Sequence, residues 1–236
     1  SVHKHRFTFV KSCNGVGKTF CAANALLSFL NVDECKIITT ATHWGQVGEL
    51  WGEVRAAYRD SKYELPGQMN EMDIKIKPTW GAKGISPKIE NADGLTAVQM
   101  QGTHHENMLV IFDEASGVKP PMWTTVDAIL TGANSHFLAI GNPTSRTGAF
   151  YEAFAKRHGN CISMDIFESP NFVAMGIKDI EGIRKIANMS NEAIENDERK
   201  ARDAGKFPIP ALSTPYWAAL QLKKWGEDST IFKVRV

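Results

Sequence analysis

No apolar run in this 236-residue sequence approaches the roughly 20 residues that a membrane-spanning helix needs, and no stretch near its start has the basic, apolar and small-residue pattern of a secretory signal. No spanning helix is expected. Cysteine is sparse as well: Cys13, Cys21, Cys35 and Cys161 show neither a C-x-x-C pair nor metal-ligand spacing, which argues against a disulfide framework or a zinc site and for a reduced, intracellular setting. Charge of one sign is missing too. With a formal net charge of +1, no global field would hold a polyanion, so any nucleic-acid contact must come from local patches. Internal repeats and low-complexity tracts are absent. What remains, 43% apolar and 22% charged, is a globular composition with length enough for a sizeable core.

The first chemistry lies in Phe7 to Phe20, FTFVKSCNGVGKTF. A β-branched and aromatic run from Phe7 to Val10 leads into a small-residue loop with Gly15 and Gly17, and Lys18 and Thr19 then open a helix whose apolar residues are Phe20, Ala23, Leu26, Leu27 and Leu30. Strand, glycine loop and helix N-terminus in that order make a phosphate-binding loop. Glycines let backbone N–H groups turn toward a triphosphate, and the helix end adds partial positive charge. Lys18 is placed to reach the β- and γ-phosphates, and the Thr19 hydroxyl to ligate Mg²⁺. The candidate nucleotide-binding residues are therefore Ser12, Asn14, Gly15, Val16, Gly17, Lys18 and Thr19. Ser12 stands where GxxxxGK[ST] has its first glycine, and Gly15 supplies part of the lost backbone freedom. A mere glycine turn would show similar letters, but Gly-Lys-Thr sits where strand and helix demand it.

Further on, Lys36 to Thr40 reads as a buried strand and the chain then turns into a helix running to about Arg59. Asp73 to Lys77 alternates like a half-exposed strand, with Trp80 to Ile85 as its antiparallel neighbour; this predicts a β-hairpin excursion before the chain returns to the sheet. Its lysines, Lys75, Lys77, Lys83 and Lys88, read as a solvated face, with a DNA-contacting patch as the alternative. Leu109 to Phe112 is continuously apolar, as a central parallel strand should be, and Asp113 and Glu114 stand at its C-terminal end, where ligands bind in open α/β sheets. In that Walker B arrangement Asp113 holds the Mg²⁺ shell and Glu114 is the catalytic carboxylate that orients or deprotonates water.

Pro120 starts a helix to about Leu130, and the strand His136 to Ile140 delivers Gly141-Asn142-Pro143-Thr144 to the same sheet edge. Asn142, then Thr144, are the candidates for sensing the γ-phosphate; Arg146 is the candidate charge-stabilising arginine. A helix follows from Ala149 to about Arg157, then a strand from Cys161 to Phe167 and a turn at Glu168 to Asn171. Helices are expected at Ile180 to Ala187, Asn191 to Ala204 and Pro215 to Trp225, and a strand-like fragment at the final IFKVRV. His104 and His105, adjacent on an extended segment, point to opposite faces and read as loop residues. The predicted fold is α/β: a RecA/ASCE-like P-loop core over residues 1–170, built on a mostly parallel sheet flanked by helices, and a helical subdomain or linker over 171–236.

With these motifs in place, the chain resembles the ATPase domain of the large terminase subunit of tailed bacteriophages. The resemblance is carried by SCNGVGKT, TTATHWGQV, QGTHHENMLVIFDEASGV and LAIGNPTSRTGAFYEAF, and covers about Phe7 to Pro170. It implies ATP contacts at Gly15, Gly17, Lys18 and Thr19, a Mg²⁺ role for Asp113, a catalytic Glu114, and coupling of hydrolysis to DNA movement by Asn142 to Thr144. It also implies double-stranded DNA, a portal protein and a small terminase subunit as partners, a pentameric ring of copies, and work in the host cytoplasm without a membrane. Many terminases carry Arg-Gly shortly before Walker B as a finger acting on a neighbouring subunit; here the dipeptide is Gln101-Gly102, so the finger must come from elsewhere, with Arg146 as the candidate. The chain begins at Ser1 just before its first strand and ends at Val236, so an upstream adenine-contacting segment and a nuclease domain are expected to lie outside it. Two other readings stay open. Another RecA-like helicase or translocase would show a second such domain with fingers in cis, and a binding-only assembly module would have little use for Glu114.

Overall fold

In the computed structural model residues 3–85 and 104–236 are described. The chain opens with β1 (Phe7–Ser12), α1 (Lys18–Leu30), β2 (Lys36–Thr40) and α2 (Trp44–Arg59). Three short strands follow, β3 (Gln68–Met69), β4 (Asp73–Lys77) and β5 (Trp80–Gly84). Then come β6 (Asn107–Phe112), α3 (Pro120–Ile129), β7 (Asn134–Gly141), α4 (Ala149–Ala155) and β8 (Asn160–Met164). The remainder is helical: α5 (Pro170–Ala174), α6 (Ile180–Ala187), α7 (Asn191–Asp203), α8 (Pro215–Trp225) and α9 (Thr230–Arg235).

Among the described residues the strands form one sheet in the order β3-β4-β5-β2-β6-β7-β1-β8. The pairs β5/β2, β2/β6, β6/β7 and β7/β1 are parallel, and β3/β4 and β4/β5 antiparallel. Period-two alternation explains why its central strands are apolar throughout. Ile37, Leu109, Ile111, Leu138 and Ile140 point to the face covered by α1 and α2, whereas Ile38, Val110, Phe112, Phe137 and Ala139 point to the face covered by α3 and α4. Each buried leucine or isoleucine contributes about 1.5–3 kcal/mol to folding, so β6, buried from Met108 to Phe112, anchors both layers. Register then aligns the strand ends: Thr40 lies beside Phe112, Phe112 beside Ala139, and Lys11 beside Gly141.

Three sequence expectations change. The hairpin is no separate excursion; β5 pairs in parallel with β2 and thereby extends the sheet, with Gly81 beside Lys36. Here a Cβ on Gly81 would lie within backbone contact of Ile74, so the close strand approach requires glycine. The final IFKVRV is helix rather than strand: Ser229 caps it by accepting from the Phe232 amide, and the i, i+4 spacing puts Phe232 and Val236 on one face toward apolar neighbours. Tertiary burial there overrides the β preference of isoleucine and valine. The expected turn at 168–171 is tighter than read, a capping box formed by Asp165 and Glu168 followed at once by α5 with Pro170 at its start.

By its contacts the chain divides into two compact units, Ser1–Lys11 with Lys18–Ile162, and Ser12–Gly17 with Ser163–Val236. The first holds the sheet and its flanking helices. The second gathers the helical remainder and the loop 12–17 around Cys13, Val16, Ile166, Phe172, Ile183, Ala218 and Ala219. Within it the fully buried Asn171 organises one connection: its amide donates to the carbonyls of Ile209, Leu212 and Ser213, and its Oδ1 accepts from the Ile209 amide.

Candidate active site

Parallel pairing sets the geometry of the first unit's site. Because β7 lies between β1 and β6, the residue that follows β7 is presented between the residue that follows β6 and the start of α1. Lys18, the first residue of α1, is 8% exposed, and its Nζ donates to Asn142 Oδ1 at 2.7 Å. Asp113 is 4% exposed; its Oδ1 accepts from the Glu114 amide at 2.8 Å and its Oδ2 from the Thr19 hydroxyl at 3.4 Å. Lys18, Thr19, Asp113 and Asn142 therefore converge at one sheet edge.

Burial pushes the Asp113 carboxyl up to about 6, and the neighbouring Glu114 charge adds to this; the Glu114 amide, the Lys18 charge and the Thr19 hydroxyl pull the other way without offsetting it. A buried carboxylate short of compensating charge beside a hydroxyl is a donor set suited to a hard cation. Among the described residues no cluster of three His, Cys, Asp or Glu side chains could hold a metal by itself.

Glu114 is half-buried and left-handed, with φ 47° and ψ 45°, a conformation that a non-glycine residue adopts only when its surroundings impose it. It opens a 3-10 turn over Ala115–Gly117. Beside that turn the Ser116 and Thr144 hydroxyls lie 2.9 Å apart, so Thr144 meets the turn that follows Walker B. Arg146 is exposed on the loop leading to α4.

The loop 12–17 turns on two glycines. Gly15 and Gly17 take φ of +64° and +85°, which side chains disfavour. Ser12, at the first glycine position, keeps a negative φ, because among the described non-glycine residues only Glu114 and Arg157 are positive. That is why serine is tolerated there. Asn14 is half-buried and Val16 buried among apolar neighbours. Ser213 braces the loop: its amide donates to the Gly15 carbonyl at 2.8 Å and its hydroxyl to the Asn14 carbonyl at 3.1 Å.

No family model matches the chain. A protein of Enterobacteria phage P7 described as a probable terminase, large subunit, is 30% identical over 103 residues, which are 42% of this chain and 20% of that protein. The large terminase of a thermophilic bacteriophage superposes with a TM-score of 0.52 at 11% identity, over 70% of this chain and 41% of that one. The same thermophilic-phage protein in complex with ATP-gamma-S gives a TM-score of 0.50 at 11% identity, over 70% and 40%. Over the matched part, the chain resembles terminase large subunits. Its fold is the RecA-like α/β fold of those terminases, and it spans a fifth of the P7 relative and under half of the thermophilic-phage terminase.

Ser116, Thr42 and Ser213 received no role from the sequence. Thr42 carried a signal nonetheless: a small polar residue two positions beyond the end of a central strand stands at the ligand-binding edge. Ser213 carried none, being nearly 200 positions from the loop it braces. Lys88 and the Gln101-Gly102 dipeptide lie outside the described residues.

Proposed function

We propose that this chain is the ATP-hydrolysing motor domain of a viral DNA-packaging terminase, coupling hydrolysis to translocation of double-stranded DNA into a procapsid. The observation that carries the reading is the meeting of Lys18 and Asn142 at 2.7 Å beside buried Asp113, which joins three motifs far apart in sequence at the sheet edge where nucleotides bind. The loop Ser12, Asn14, Gly15, Val16 and Gly17 cradles the phosphates through its backbone amides, and Lys18 neutralises the β- and γ-oxygens. Asn142 shares Lys18 with the γ-phosphate, and Thr144 transmits its presence to the turn after Glu114 through Ser116. Glu114 orients the attacking water and takes its proton. Thr19 and Asp113 would hold a Mg²⁺ ion, whose chemistry is to neutralise charge on the phosphate oxygens.

Arg146, exposed and close in sequence to Asn142, serves as the charge-stabilising arginine, acting across to a neighbouring copy in a ring of five. The remaining partners are a portal protein and a small terminase subunit, met in the host cytoplasm; among the described residues no helix is long and apolar enough to cross a membrane. Glu114→Gln tests the reading. ATP affinity should stay within twofold of wild type while turnover falls by about 100-fold or more, as for loss of a general base. Undiminished turnover in that variant would remove Glu114 from the catalytic role, and a wild-type chain that binds ATP and never hydrolyses it would leave a binding-only module.

A further inference from the structure

We infer that Thr42 is a positioning residue for hydrolysis: its hydroxyl holds the backbone of Glu114 in the conformation that aims the carboxylate. This rests on the ATPase reading above. Thr42 follows the end of β2, and its Oγ1 donates to the Glu114 carbonyl at 3.1 Å. That carbonyl belongs to the residue whose backbone is left-handed, φ 47° and ψ 45°. A non-glycine residue stays there only if neighbours over-determine it, and three features of this edge do so. The Glu114 carbonyl is shared between the Thr42 hydroxyl and the Gly117 amide at 3.0 Å, which closes the turn. Gly117 has no room for a side chain, since a Cβ there would stand 2.6 Å from Thr42 Oγ1, so the threonine packs directly on the turn. On the other side Gly141 lies close too, a Cβ there falling 3.0 Å from the Ala115 amide nitrogen, while Thr144 meets Ser116 at 2.9 Å.

The turn is thus gripped between the ends of β2 and β7, and Thr42 supplies the only side-chain hydrogen bond to the Glu114 carbonyl among the described residues. Releasing it frees Glu114 to relax toward ordinary backbone angles, which rotates the carboxylate away from the water it must orient. Nothing in this role touches the phosphate loop. Nucleotide binding should therefore be untouched and the chemical step slowed.

The test compares Thr42→Val, which keeps shape and removes the hydroxyl, with Thr42→Ser, which keeps the hydroxyl, using steady-state ATP hydrolysis by the full chain with Mg²⁺ and Lys18→Ala as the control. For Thr42→Val, kcat should fall roughly tenfold, the scale on which small misplacements of a reacting group act, with KM and ATP affinity within twofold and an unchanged melting temperature. Thr42→Ser should restore kcat to within about threefold of wild type, as a retained hydrogen bond predicts. A Thr42→Val protein with wild-type kcat, or one whose KM rises while kcat holds, overturns the inference even if Lys18-dependent turnover stands. If the wild type shows no Lys18-dependent turnover, the ATPase reading itself fails and this inference falls with it.

Discussion

A buried ammonium without a partner is costly, and Lys18 at 8% exposure is held by the Asn142 carbonyl oxygen at 2.7 Å. Asn142→Ala should therefore lower turnover by roughly tenfold or more, since a fixed dipole at the charge-developing end is lost; single-turnover hydrolysis reads this directly. Cysteine chemistry offers an independent check on the packing. Burial, and then the Asp33 charge, push the Cys35 thiol up to about 12, whereas Cys21 is exposed on α1. An aromatic disulfide reagent at neutral pH should label Cys21 in the native protein and Cys35 only after unfolding; rapid native labelling of Cys35 would contradict the placement of β2. Lys18, Thr19, Asp113, Glu114 and Asn142 were legible in the sequence because each sits beside a strand end or helix start that its own neighbours define. The contacts of Thr42, Ser116 and Ser213 were not, since each joins segments distant in the chain, although the place of Thr42 just beyond β2 already put it at the ligand-binding edge.

Among the elements, β6 contributes to both faces of the core, with Leu109 and Ile111 turned to α1 and α2 and Val110 and Phe112 to α3 and α4. Ile111→Ala should cost about 2–5 kcal/mol, as fully buried truncations do, measurable by denaturant unfolding. Asn171 plays the matching part in the helical unit, donating to three carbonyls and accepting one amide. Its replacement by Ala leaves those groups without their partner and should cost roughly 1–3 kcal/mol, with the segment 209–213 losing protection from hydrogen exchange first. Strong periodicity made α1, α2, α7 and α8 readable to within a residue or two. It failed at Thr230–Arg235, where six residues with β-branched alternation also satisfy a helical face, and only the Ser229 cap and the burial of Phe232 decide. The pairing of β5 with β2 was equally invisible, because sheet order is a property of strands some 40 residues apart.

On the scale of the whole molecule, a net charge of +1 leaves only local patches to hold duplex DNA under the proposed function, so such binding should weaken steeply as salt rises from about 50 to 200 mM. If the proposed arginine acts between copies, turnover per chain should rise with protein concentration, since such a finger is worth on the order of 10³ in rate. Both effects converge on one measurement: steady-state ATP hydrolysis by this chain with Mg²⁺, across a range of protein concentrations, with and without double-stranded DNA, beside Lys18→Ala. Turnover that requires Lys18, climbs with concentration and rises further with duplex DNA is the result the motor account predicts. Nucleotide that binds and is never hydrolysed, at concentrations that force association and with DNA present, would contradict it.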